Sequence, residues 1–323
     1  MSNKAMRKLS EKKIIDIFQD GLGNGGFVPE DVEFFKTGKK YAVVKVDTLV
    51  ESTDVPPGTK LEDLARKSLV SCISDFAAKG VKPVFGIISL VIPKKYTKLK
   101  IEKLAAGFKM AAKEFQVKIL GGDTNEGKEL VISFSLFGFS KKIVKRNGAK
   151  TNDLIICSGP FGYSAAGLSI LLKNKKCSKT FGVKAKKAVF RPSCRLDLGL
   201  KNKNYFSSSM DSSDGLSTTL NEMSSQSKKR FVITRMPSEN DVFDFASSSR
   251  LNADDLILNG GEEYEIVATV NVSNLPKIKK YAKKHRMKLY EIGYVTKGKG
   301  VFYKKNGRLI RIKDKGWQHL QKS

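Results

Sequence analysis

Apolar residues recur along this chain at two spacings, and the alternation between them predicts its elements. Residues 41–50 (YAVVKVDTLV) are dense in β-branched side chains and read as a buried strand. In 61–80 (LEDLARKSLVSCISDFAAKG), Leu61, Leu64, Ala65, Leu69, Cys72 and Phe76 share one helical face, and Gly80 is placed to end the helix. VFGIISLVI (84–92) reads as a second strand. A further helix runs over 100–115, with Ile101, Leu104, Ala105, Phe108, Ala112 and Phe115 on one stripe. VKILGG and LVISFSLFGF read as strands flanking a polar loop, GGDTNEG, and 11–20 as a short amphipathic helix. The polar cluster RNGAKTND (146–153) marks a domain boundary. A second series follows it: strand LIICSG, helix SAAGLSILLK, helix DGLSTTLNEM, strand EYEIVATV, and small strands around GYVTKGKGVFYKKNGRLIRI. Alternating strands and helices predict an α/β class in two domains, 1–148 and 149–323. The 323-residue length agrees with two cores.

Composition narrows the function. The longest apolar run is too short to span a bilayer. The N-terminus lacks an apolar signal core and carries Glu11 and Asp16, so a cytoplasmic protein is expected. The cysteines form no C-x-x-C pair, which argues against a zinc site or disulfide framework. Two histidines leave few candidates for imidazole acid–base chemistry. A net charge of +28, from 60 Lys+Arg against 32 Asp+Glu, suggests a polyanionic partner. The lysines are spread over the whole length, however. The densest run, 277–288, reads as one solvated helix face, so nucleic acid is not the expected partner.

Aspartates stand where structure alone does not need them. Asp47 interrupts an apolar strand. Asp75 lies late in its helix, at the edge of the apolar face. Asp123 follows a Gly-Gly pair, and GGEEYEI (260–266) repeats that device. In DSSDGLSTTL (211–220), Asp214 reads first as a helix N-cap, which leaves Asp211 surplus. If these carboxylates converge, any two at about 4 Å repel by about 4 kcal/mol at an effective dielectric of about 20. They must then be protonated or bridged by cations. Hard oxygen donors without Cys or His select Mg²⁺, and carboxylate-bound Mg²⁺ serves triphosphate chemistry. The chain has neither a Walker A motif nor the protein-kinase signatures. An Mg²⁺-dependent nucleotide enzyme outside those folds is the expectation.

The ordered set VDTLVE, ISDFAAKGVKP, GGDTNEG, RNGAK, RPSCR, DSSDGL, GGEEYE and KGWQHL resembles the thiamine-monophosphate kinase family over nearly the whole chain. That resemblance implies two domains of the aminoimidazole ribonucleotide synthetase type, homodimers formed through the N-terminal domains, and transfer of the ATP γ-phosphoryl group to thiamine monophosphate with several Mg²⁺ ions. By the same resemblance, Asp31, Asp47, Asp75, Asp123, Asp211 and Asp214 match metal ligands. Gly122, Asp123, Arg146 and Ser213 match nucleotide contacts. Asp54, Glu262 and Trp317 match the thiamine phosphate site. No general base is implied, because a phosphomonoester oxygen is already anionic at neutral pH, its second pKa being about 6. The chain departs from the family at Pro29 and Glu30 in its Gly-Asp-Asp motif, at Lys45 and Val46 before Asp47, at Asp54 in place of a histidine, and at Glu263 within GGEEY. The alternatives are a sister ATP-using enzyme of the same superfamily or a basic nucleic-acid-binding protein on this fold.

Overall fold

The computed structural model describes residues 9–317. The N-terminal half contains α1 (Glu11–Gly21), β1 (Glu33–Thr37), β2 (Lys40–Val50), the single turn α2 (Glu51–Asp54), α3 (Leu61–Lys79), β3 (Lys82–Pro93), α4 (Lys98–Phe115), β4 (Lys118–Gly127) and β5 (Val131–Ser140). Its five strands form one sheet in the order β1-β2-β5-β3-β4. All neighbours are antiparallel except β3 and β4, which α4 connects as a parallel pair. The α3 stripe expected from the sequence packs with Phe108 and Phe115 of α4 and with Ile132, Phe134 and Leu136 of β5 in one core. Truncating a fully buried aromatic there, such as Phe76, would cost about 3–5 kcal/mol. Gly80 ends α3 in the left-handed conformation, φ 64°.

The helices cover one face of this sheet. On the other, Phe35, Val46, Ile87 and Phe139 are exposed, and the register places Val46 and Ile87 on either side of Ser135. The helix α1 is also apolar on one side, yet none of its residues is buried among the described residues.

The C-terminal half contains β6 (Leu154–Cys157), α5 (Tyr163–Lys173), α6 (Lys179–Phe190), α7 (Leu196–Asn202), β7 (Phe206–Ser212), α8 (Leu216–Ser227), β8 (Arg230–Ile233), α9 (Asn240–Ser248), α10 (Ala253–Asn259), β9 (Glu265–Val270), α11 (Leu275–Lys284), β10 (Tyr290–Thr296), β11 (Gly300–Lys305) and β12 (Arg308–Arg311). Seven strands form a sheet in the order β12-β11-β8-β10-β6-β9-β7. Alternate residues of β6 and β9 serve two cores. Ile155, Cys157 and Val267 meet α5, α8 and α9, while Ile156, Ile266 and Ala268 meet Ala77 and Ala78 at the end of α3. The helix α3 is therefore wedged between both sheets, and its polar residues Lys67, Ser74, Asp75 and Lys79 are buried.

Two expectations are corrected, and one unassigned stretch gains an element. GGDTNEG is not a loop: β4 runs through it, and the chain turns only after Gly127. Gly122 is needed because a Cβ there would come within 1.7 Å of the Ile88 carbonyl oxygen on β3. The polar run SSSMDS, given no element from the sequence, is the buried strand β7, with Ser209 bonded to the Ala78 carbonyl and Ser208 to the Thr269 hydroxyl. Asp214 is not the N-cap residue of α8. Gly215 holds the N-cap position at φ 122°.

Candidate metal and nucleotide site

The wedge position of α3 creates the site. Asp75 on α3, Asp211 on β7 and Asp31 ahead of β1 are all buried, and each offers a carboxylate oxygen within 4.8 Å of the others. Asp31 has its own cations. Arg146 Nε donates to Oδ1 at 2.7 Å, a second guanidinium N–H reaches the same oxygen, and Lys79 Nζ lies 2.9 Å from Oδ2. Burial alone would raise its pKa, but Lys79 and Arg146 outweigh burial and hold it below the ordinary value. Glu30 completes this half of the cluster by accepting from Lys79 Nζ at 2.5 Å and from the Arg146 backbone N–H at 3.1 Å. The glutamate that departs from the family pattern thus has a definite anchor.

The other two carboxylates have less help. Burial pushes Asp75 well above the carboxylate range, opposed by Lys45 and reinforced by Asp211, Asp31 and Asp47. Asp211 is pushed up to about 7, first by burial and then by Asp31, although the Ser74 hydroxyl donates to it at 3.1 Å. Lys45 on β2 places Nζ 3.0 Å from Asp75 Oδ2. An all-oxygen donor set with excess negative charge, kept from water, is the environment that a hard divalent cation relieves, and these residues fit Mg²⁺.

The remaining expected residues divide between two places. Asp47 is half-buried within β2, where Oδ1 accepts from Thr48 N–H at 3.0 Å, and its charge is felt at Lys45. Asp123 is exposed on the edge strand β4, in register with Ser89, and accepts from Asn125 at 2.8 Å. Neither belongs to the trio, nor does exposed Asp214. The second place is a junction of loops. Glu262, at φ 62°, donates its N–H to the Ser213 carbonyl at 2.6 Å, and Trp317 N–H donates to the Asp214 carbonyl at 2.8 Å. Buried Lys67 of α3 ties this junction to the N-terminal half, lying 2.6 Å from Glu262 Oε1 and donating to the Asp54 carbonyl at 3.2 Å. The Asp54 carboxylate is occupied by the Val50 N–H at 2.7 Å. The Trp317 indole is exposed; His319 lies outside the described residues.

Sequence reasoning missed Lys79, Lys67 and Ser74, which sit among helix positions that read as solvent-facing. It also missed the role of Glu263. That buried side chain accepts from the Gly162 and Ser164 N–H groups at 2.7 and 3.1 Å and so holds the N-terminus of α5. The signal available for α3 was the density of small residues, Ser68, Ser71, Ser74, Ala77 and Ala78, along what would otherwise be its outer face.

Two sheets clasping one helix, with carboxylates gathered at the seam, define an AIR synthase related protein. Residues 29–140 match the N-terminal domain model of that description, and residues 150–305 match the C-terminal one. The chain is 55% identical over 316 residues to a thiamine-monophosphate kinase of Nitrosopumilus maritimus, covering 98% of this chain and all of the relative. It is 31% identical to that of Pyrococcus horikoshii, with 98% of each covered. A solved structure of AaThiL complexed with AMPPCP and TMP superposes with TM-score 0.86 at 27% identity, covering 98% of this chain and 100% of that one. The chain belongs to the thiamine-monophosphate kinase family.

Proposed function

We propose that this chain transfers the γ-phosphoryl group of ATP to thiamine monophosphate, giving thiamine diphosphate. The observation that carries the reading is the buried trio Asp31, Asp75 and Asp211, set in a chain that matches thiamine-monophosphate kinases from end to end. The likeness to AaThiL complexed with AMPPCP and TMP supports ATP and thiamine monophosphate as the two substrates. Mg²⁺ would be held by the trio, joined on ligand binding by Asp47, Asp123 and Asp214. When bound, it would shield two polyanionic substrates from each other and balance charge on the transferred group.

This chain's own residues position. Lys79 and Arg146 fix Asp31, and Ser74 orients Asp211. Gly122, Asp123, Arg146 and Ser213 take the nucleotide. Lys67 holds Glu262 toward the thiamine phosphate beside Asp54, and Trp317 offers a ring for stacking. The acceptor oxygen is anionic at neutral pH, so the transfer is in-line with no general base.

The metal-binding and nucleotide-binding half is residues 1–148, and the second α/β half is residues 149–323. The open apolar face of the five-stranded sheet, with Phe35, Val46, Ile87 and Phe139, supports a homodimer through the N-terminal halves. No helix among the described residues is long and apolar enough to cross a membrane, and we place the protein in the cytoplasm. The test is purified protein with Mg-ATP and thiamine monophosphate, followed for thiamine diphosphate. Turnover of ATP with no thiamine diphosphate formed would sink the reading.

A further inference from the structure

The charges of the buried cluster fall into two groups. Lys79 lies against Glu30 and Asp31, and the Arg146 guanidinium pairs with Asp31 while also reaching Asp211 electrostatically. Asp75 is paired with the Lys45 ammonium on β2, whose Nζ is 3.0 Å from Asp75 Oδ2 and within electrostatic reach of Asp47 and Asp211. The Lys45 side chain retains 26% of its exposure, so it stands at the mouth of the cluster, where an ion entering from solvent would also arrive. Asp75 has no other cation paired with it among the described residues.

We propose that Lys45 is a resident cation of this site: its ammonium occupies one cation position against Asp75 and lowers by one the number of divalent ions the nucleotide-free cluster takes up. The inference rests on the reading of Asp75 and Asp211 as metal ligands and concerns what this chain supplies in place of an ion. Position 45 suits the task. It follows Val43 and precedes Asp47 and Leu49 on the strand face that packs toward α3, so a four-carbon stem brings the ammonium to the carboxylates while the strand stays in register. An ammonium is a compact point charge without preferred coordination angles, so it neutralises a carboxylate without demanding an octahedron of oxygens. It also lets the metal-free chain fold with these acids buried, because the repulsion among them is partly cancelled before any ion arrives.

The test counts ions. Nucleotide-free protein is titrated with Mn²⁺, free Mn²⁺ is read by electron paramagnetic resonance, and folding is followed by circular dichroism. Lys45→Met is expected to take up one more tight Mn²⁺ per chain than the parent, and Lys45→Arg, which keeps the charge, to match the parent. A Lys45→Met protein that folds poorly in EDTA and is restored by Mn²⁺ also supports the proposal. An unchanged count in Lys45→Met overturns it. So does a Lys45→Met chain that Mn²⁺ cannot fold, since a divalent ion then cannot replace the ammonium. Asp75→Asn separates this outcome from failure of the metal reading: a parent that binds no Mn²⁺, or an Asp75→Asn protein that binds as the parent does, removes the metal site itself and the proposal with it.

Discussion

Asp75 and Asp123 are both candidate metal ligands, yet they live in opposite surroundings. Asp75 is buried on a helix between two domains, with Asp31 and Asp211 close by and Lys45 against it. Asp123 is exposed on an edge strand with only Asn125 bonded to it. The first sits in a place where water cannot screen its charge, so the protein itself or a bound ion must answer it. The second is solvated in the free chain, and any part it takes in a site costs it little beforehand. The buried group stores an electrostatic demand in the fold, whereas the exposed one is available at little cost to stability.

Four outcomes would sharpen or break that contrast. The largest is expected for Asp75→Asn: thiamine diphosphate formation should fall by about a thousandfold or more with circular dichroism unchanged. Near-parental turnover would remove the buried trio from the chemistry. Next, Lys79→Met leaves Glu30 and Asp31 without their ammonium, and urea unfolding should show a loss of about 3–5 kcal/mol. A smaller effect concerns pH in EDTA. The folded-state pKa of Asp211 is about 7, above the unfolded carboxylate value of about 4, so the folded chain holds a proton that the unfolded chain has released. That contribution is complete at acid pH and is lost as pH rises through about 7. The melting temperature should therefore fall from pH 5 to pH 8 in EDTA, and saturating Mg²⁺ should abolish the fall. The smallest is Asp123→Asn, with an unchanged melting temperature and a KM for Mg-ATP raised by about tenfold. A large stability change there would show that exposure is a poor guide to how this residue is used.

The α3 stripe from Leu61 to Phe76 was legible because one apolar face at helical spacing meets a core whatever lies elsewhere. The burial of Lys67, Ser74 and Lys79 was not. Local spacing cannot tell whether a polar face meets water or a second domain. The strand β7 was hidden for a related reason: Ser208 and Ser209 carry no apolar pattern, but the ladder to β9 and their hydroxyl partners take up the polar groups they bring inside. In GGDTNEG the glycines signalled a turn, whereas the structure uses Gly122 for the close approach of two parallel strands. The acidic residues themselves were readable as a set. Their division into a buried trio and outlying members depended on partners such as Arg146, which is 115 residues from Asp31 in sequence.

The Ser74 hydroxyl oxygen lies 3.4 Å from the Tyr264 carbonyl oxygen, 190 residues away in sequence. During synthesis the first sheet can form against α3 as soon as β5 has left the ribosome, while the other side of that helix waits for β7 and β9. For that interval Asp75, Lys79, Ala77 and Ala78 face solvent, and the half-made protein has a wet, partly apolar ridge open to whatever is nearby. Contacts of such span are slow to close, because the intervening loop must first lose its freedom. The helix that unites the finished enzyme is thus the most vulnerable surface of the nascent one.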